Sequence, residues 1–151
     1  MSVNATTKRI LLIAGETSGD RLGAHLVQAM RDIDPNIECF GFGGDCMKQA
    51  GVDVLMHSRD LAIVGFFEVI KKQKIIRRAF RTIRTILQNN PPDLVVLIDY
   101  PGFNLRISKH AKKAGIKVLY YTSPQIWAWK YGRIKTIRRT VDHMAVLFPF
   151  E

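Results

Sequence analysis

Asp93-Leu94-Val95-Val96-Leu97-Ile98-Asp99-Tyr100-Pro101-Gly102-Phe103-Asn104 settles the architecture. Asp93–Ile98 (DLVVLI) reads as the central strand: after Asp93 it is apolar without alternation, the pattern of a parallel strand covered on both faces. Asn89-Asn90-Pro91-Pro92 in front of it stops a preceding helix, and Pro101-Gly102 behind it marks a turn. Upstream, a helical pattern runs from about Gly65 to Asn89, with Ile76, Phe80, Ile83 and Leu87 at three- and four-residue spacing. Downstream, a helix is expected over about Asn104–Ala114, then a turn at Gly115 and a strand at Lys117–Tyr121. A last helix (about Trp129–Arg139) and a strand (His143–Phe148) follow. At the other end, Arg9–Ala14 (RILLIA) repeats the buried-strand pattern before a glycine turn and a helix over about Gly19–Asp32. Short segments follow: strand Glu38–Phe42, helix about Asp45–Ala50 stopping at Gly51, and strand Val52–Leu55.

Strands alternating with helices predict an α/β fold, a Rossmann-like parallel sheet with helices on both faces and ligands outside the carboxyl ends of the strands. The 151 residues suffice for one domain. No apolar run approaches the roughly 20 residues that span a bilayer, and Ile10–Ala14 is too short for a signal-peptide core. A cytoplasmic protein is expected. Cys39 and Cys46 are too few for a disulfide framework and read as buried thiols. The net charge of +10 is unevenly divided. Residues 1–68 carry 6 basic and 9 acidic side chains, net −3, and residues 69–151 carry 17 and 4, net +13. That division points to one face built for an anionic partner, either a membrane surface or nucleic acid.

Four constellations can carry chemistry. Gly15-Glu16-Thr17-Ser18-Gly19-Asp20 joins the first strand to the first helix, where glycines and free N–H groups admit a ligand. It is neither GxGxxG nor a P-loop, and its bland reading is a turn with Ser18 as N-cap. Asp99, at the carboxyl end of the central strand, suits a general base. It can also cap the next helix, a task Asn104 would perform equally well. Ser123-Pro124-Gln125-Ile126-Trp127-Ala128-Trp129 offers paired indoles for a sugar or lipid headgroup, or else for packing under the sheet edge. Finally, Ile63, Val64, Phe66, Phe67, Val69 and Ile70 lie beside Lys71, Lys72, Lys74, Arg77 and Arg78. Apolar groups next to a basic cluster mark an interfacial membrane segment, with a solvated basic face as the alternative. No standard nucleic-acid-binding motif is present, so membrane is favoured over nucleic acid. His25, His57, His110 and His143 show no metal spacing.

AGETSGD (Ala14–Asp20), GFGGDCM (Gly41–Met47), LAIVGFFEV (Leu61–Val69), IDYPGFN (Ile98–Asn104), SPQIWAWK (Ser123–Lys130) and VDHMAVLFPFE (Val141–Glu151) together resemble the amino-terminal half of the lipid-A-disaccharide synthase family. The resemblance implies a metal-independent, cofactor-free, inverting glycosyltransferase of the two-Rossmann-domain GT-B type. Its substrates would be UDP-2,3-diacylglucosamine as donor and 2,3-diacylglucosamine 1-phosphate (lipid X) as acceptor, and its products lipid A disaccharide 1-phosphate and UDP. It also implies Asp99 as the base on the acceptor's 6′-hydroxyl. Substrate contacts are expected from Gly15, Glu16, Thr17, Ser18, Gly19, Asp20, Asn104, Ser123, Trp127 and Trp129. The helix after Ile63 would meet the anionic cytoplasmic face of the inner membrane. The family often reads Asp-Ala-Pro-Asp-Phe-Asn where this chain has Asp99-Tyr100-Pro101-Gly102-Phe103-Asn104, so the second acid is absent. Residues 1–151 are expected to form the acceptor-binding domain, with the carboxy-terminal UDP-sugar-binding domain outside this chain and no turnover without it. Self-association into a homo-oligomer stays open. A membrane-surface or nucleic-acid-binding Rossmann module without catalysis is the alternative.

Overall fold

The computed structural model describes residues 7–61, 69–122 and 131–147. Six strands form one sheet: β1 (Arg9–Ala14), β2 (Glu38–Gly43), β3 (Asp53–His57), β4 (Leu94–Ile98), β5 (Lys117–Tyr121) and β6 (His143–Ala145). The order is β3-β2-β1-β4-β5-β6, and every pairing is parallel. This is the Rossmann-like sheet expected from the uninterrupted apolar strands. Between the strands run α1 (Thr17–Ile33), α2 (Asp45–Gln49), α3 (Ser58–Leu61), α4 (Val69–Asn89), α5 (Pro101–Lys113) and α6 (Tyr131–Thr140).

Because neighbouring residues of a strand face opposite ways, β1 feeds two cores. Leu11 and Ile13 join Val95, Leu97, Ala79, Ile83, Leu87, Ile107 and Tyr120 under α4 and α5. Ile10, Leu12 and Ala14 join Val96, Ile98, Val27 and Met47 under α1 and α2. The expected helical stripe holds: Ile83 and Leu87 are buried, and Ile76 and Phe80 pack against the core from the edge. Gly23 lets α1 approach the sheet, since a Cβ there would lie 2.7 Å from Met47 Sδ and 2.9 Å from Ile98 Cδ1.

Several boundaries differ from expectation. α1 starts at Thr17, because extended Glu16 is its N-cap residue and its carbonyl accepts the first helical bond from Asp20 N–H (2.9 Å). Ser18 is therefore inside the first turn and not the cap. α5 starts at Pro101, three residues early, since proline suits the first helical position, where no N–H is needed. Asn104 is thereby placed within the helix and does not cap it. β3 ends at His57 and leads into α3, a single turn the periodicity did not reveal. β6 stops at Ala145 rather than Phe148, and its last expected residue lies outside the described residues. Cys39 is buried as expected, whereas Cys46 is only half-buried.

Candidate functional site

Strand order reverses at β1, whose neighbours are β2 on one side and β4 on the other. Ala14 pairs with Ile98, so the Gly15-Glu16 loop and the Asp99-Tyr100 turn emerge side by side at the carboxyl edge. Ligands of such sheets bind at this crevice. Ile98 pairs with Tyr121 in turn, so Asp99 and Thr122 are also neighbours.

Backbone strain concentrates here. Asp99 (φ 47°), Tyr100 (φ 46°) and Thr122 (φ 71°) are the non-glycine residues with positive φ among the described residues. Aspartate tolerates this region, but for a tyrosine and a β-branched threonine it is uncommon. Each such residue costs about 1–3 kcal/mol, and they cluster where function over-determines the backbone. The surroundings hold Asp99 in place. Its carbonyl accepts from Tyr120 Oη (2.7 Å) and Asn104 Nδ2 (2.8 Å), and its N–H donates to the Tyr121 carbonyl (3.3 Å). Its half-buried side chain receives no hydrogen bond from another described side chain. Burial first, and then the nearby Asp99 charge, push the Tyr120 phenol far above its usual pKa, so it stays a donor.

Asn104 is completely buried, and its Nδ2 also lies 3.2 Å from the Ile98 carbonyl and 3.3 Å from the Ile13 carbonyl. It ties the ends of β1 and β4 together beneath the crevice. A direct substrate contact fits this position poorly. Asp20 is buried as well, at 4% exposure, and its carboxylate accepts from the N–H groups of Gly44 (2.7 Å), Cys46 (3.0 Å) and Met47 (3.0 Å). It caps α2 from a distance, so its oxygens are committed to the fold. Gly19 packs on Ala14 and Ile98. Exposed here are Glu16, the N-cap residue, and Thr17 and Ser18 in the first turn of α1, a 17-residue helix whose first N–H groups lack intrahelical partners.

Tyr100 and Tyr120 were missed by sequence reasoning. The Tyr100 ring lies on Gly15, where a Cβ would fall 2.5 Å from its Cγ, and its hydroxyl donates to the Leu61 carbonyl (3.3 Å). Nothing in KVLYY indicates that Tyr120 reaches the Asp99 carbonyl.

Ser123, Trp127 and Trp129 lie outside the described residues, as do Ile63, Val64, Phe66 and Phe67. Val69, Ile70 and Lys71 belong to the first turn of α4; Lys72 is half-buried, and Lys74, Arg77 and Arg78 are exposed. Among the described residues no helix is long and apolar enough to cross a membrane. A cavity of about 460 Å³ lies beside β3, lined by Asp45, His57, Asp60, Ile75 and Arg78 among others.

Known proteins share this fold. Solved structures similar in fold include a UDP-N-acetylglucosamine 2-epimerase, with a TM-score of 0.63, 11% identity, and 93% of this chain and 42% of that chain covered. The UDP-GlcNAc 2-epimerase of Neisseria meningitidis bound to UDP-GlcNAc gives a TM-score of 0.57 at 13% identity, covering 91% and 39%. At these identities the likeness is one of fold. In sequence, the lipid-A-disaccharide synthase of Coxiella burnetii (strain Dugway 5J108-111) is 58% identical over 146 residues, 97% of this chain and 39% of the relative. That of Trichlorobacter lovleyi is 57% identical over 144 residues, 95% and 38%. That of Geobacter sulfurreducens is 52% identical over 146 residues, 97% and 38%. The chain thus spans about two fifths of the length of the curated relatives it matches. The profile of the lipid-A-disaccharide synthetase family matches residues 10–151, and the chain belongs to that family.

Proposed function

We propose that this chain is the acceptor-binding half of a glycosyltransferase that builds the lipid A disaccharide, with Asp99 as its base. The observation that carries the reading is the left-handed Asp99-Tyr100 turn, held by Tyr120 and Asn104 at the strand-order reversal. Asp99 takes the proton from the 6′-hydroxyl of 2,3-diacylglucosamine 1-phosphate. That oxygen attacks the anomeric carbon of UDP-2,3-diacylglucosamine, and UDP leaves from the opposite face with the bonding electrons. The anomeric configuration inverts. A fixed backbone at Asp99 aims the carboxylate without reorganisation during the reaction. Glu16, Thr17 and Ser18, with the N–H groups that open α1, offer polar contacts beside it.

In this reading a second, donor-binding domain of the GT-B type completes the cleft, and the protein works on the cytoplasmic face of the inner membrane. The exposed Lys74, Arg77 and Arg78 support an anionic surface. The test is Asp99→Asn in the full-length enzyme that carries this chain. Loss of general base catalysis is expected to lower kcat by about 10²–10⁴ with little change in KM. A rate within a few-fold of the parent would refute the assignment. The 151 residues expressed alone are expected to give no turnover of the two lipid substrates.

A further inference from the structure

A groove of about 390 Å³ lies between α4 and α5 on the outer flank of the molecule. Arg77, Arg81 and Arg84 line it from α4, Arg106 and His110 from α5, and Phe80 lies between them. Four permanent positive charges thus surround one cavity. Neither α4 nor α5 contains an acidic residue. Among the described residues none of these four guanidinium groups is paired with a carboxylate.

One wall of the groove is anchored. The Arg106 guanidinium stacks 4.4 Å from the centre of the Phe80 ring. That ring packs 4.5 Å from Phe103, a core residue, and meets His110 edge-on at 6.3 Å. His110 registers the local potential: burial, then Arg84, Arg106 and Lys113, lower its pKa. Planar guanidinium forks match phosphoryl oxygens bidentately, and an anion between them would relieve their mutual repulsion.

The groove is not part of the crevice at Asp99. α4 ends at the amino edge of the sheet, where Arg9 Nη1 donates to the carbonyl (3.1 Å) and Oδ1 (2.7 Å) of Asn90. Arg84 lies fifteen residues along α4 from Val69, about 22 Å of helix. We infer that the α4–α5 groove is a second site, one that recognises a phosphoryl group, either free in solution or on a lipid headgroup. This site stands whether or not Asp99 is the base.

The test uses the protein that carries this chain, with inorganic pyrophosphate as probe at constant ionic strength and sodium chloride as control. Arginine side-chain and histidine ring NMR signals are followed. Saturable shifts at Arg84 and Arg106 are expected, with a rise in the His110 titration as the anion offsets both charges. The double variant Arg84→Gln/Arg106→Gln should bind about ten-fold more weakly or worse, while Arg138→Gln on α6 should bind like the parent. A response that never saturates and equals that of chloride would overturn the inference. So would a double variant that binds pyrophosphate like the parent. Sedimentation with phosphatidylglycerol against phosphatidylcholine vesicles separates the two sources. If the double variant also loses phosphatidylglycerol binding, the phosphoryl group belongs to a lipid; if it keeps that binding, the ligand is soluble.

Discussion

Gly15 and Tyr100 meet at the crevice, and neither has freedom to change without the other. The ring occupies the space a Cβ at position 15 would take, while Tyr100 itself sits in the left-handed region with φ 46° and ψ 56°. Gly15→Ala is therefore expected to destabilise the protein by about 1–3 kcal/mol through overpacking. Tyr100→Ala should restore much of that loss in the double variant, and urea unfolding of the four proteins measures the coupling. Additive effects would show that the ring can move aside freely. Asp99 follows the same logic: its side chain was legible as a candidate from its place after an apolar strand. The two groups that hold its carbonyl, Tyr120 and Asn104, come from β5 and α5, and no local pattern reveals them.

Elements here are stabilised by residues outside themselves. α2 has five residues, too few to persist on local propensity. Its opening N–H groups are met by Asp20 of α1, not by a residue of its own turn. Asp20→Ala leaves three buried or half-buried donors unpaired and is expected to cost about 2–3 kcal/mol, read as a lower midpoint in chemical denaturation. Hydrogen exchange should be fastest at Gly44, Cys46 and Met47. An unchanged midpoint would mean that water replaces the carboxylate. The inner strands β1, β4 and β5 were legible nearly to the residue because continuous apolar runs of five or six have few alternatives, whereas the edge strands β3 and β6 were misplaced by up to three residues. Helix starts were also less legible, since Ser18 and Asn104 are good caps by type but backbone geometry placed both inside helices.

The sheet's far edge is held by one carboxylate. Asp142 Oδ1 accepts from Lys112 Nζ (2.8 Å) and lies 3.5 Å from Lys117 Nζ, and its Oδ2 accepts from Val118 N–H (2.9 Å). Thus α5, β5 and the approach to β6 are joined. The Lys112 hydrogen bond, then the Val118 N–H, hold the Asp142 pKa down to about 2, against an opposing effect of burial. A carboxylate depressed in the folded state stabilises it above the unfolded value near 4 and loses that contribution as pH falls through 2. Because both lysines are well exposed, solvent screening limits the gain to about 1–2 kcal/mol. Asp142→Asn should remove that share of the stability loss between pH 4 and 2, as followed by thermal unfolding in that range. Identical acid profiles for parent and variant would exclude the link. At the same level, seven of the seventeen basic side chains of residues 69–151 lie on α4, and three of them meet Arg106 of α5 in the arginine groove; most of the others lie on α5 and α6.

Amino-acid order alone was enough for the parallel sheet, the candidacy of Asp99 and the basic character of α4. These rest on interactions within a few residues: apolar runs, turn formers and charge at fixed helical spacing. Tertiary structure decided what depends on distant parts of the chain meeting. It placed Ala14 beside Ile98, buried Asp20 and Asn104 as ties between elements, and brought Arg106 opposite Arg77, Arg81 and Arg84. A side chain's type states which hydrogen bonds it can make. Only packing determines which of them water still makes, and which the fold has already taken.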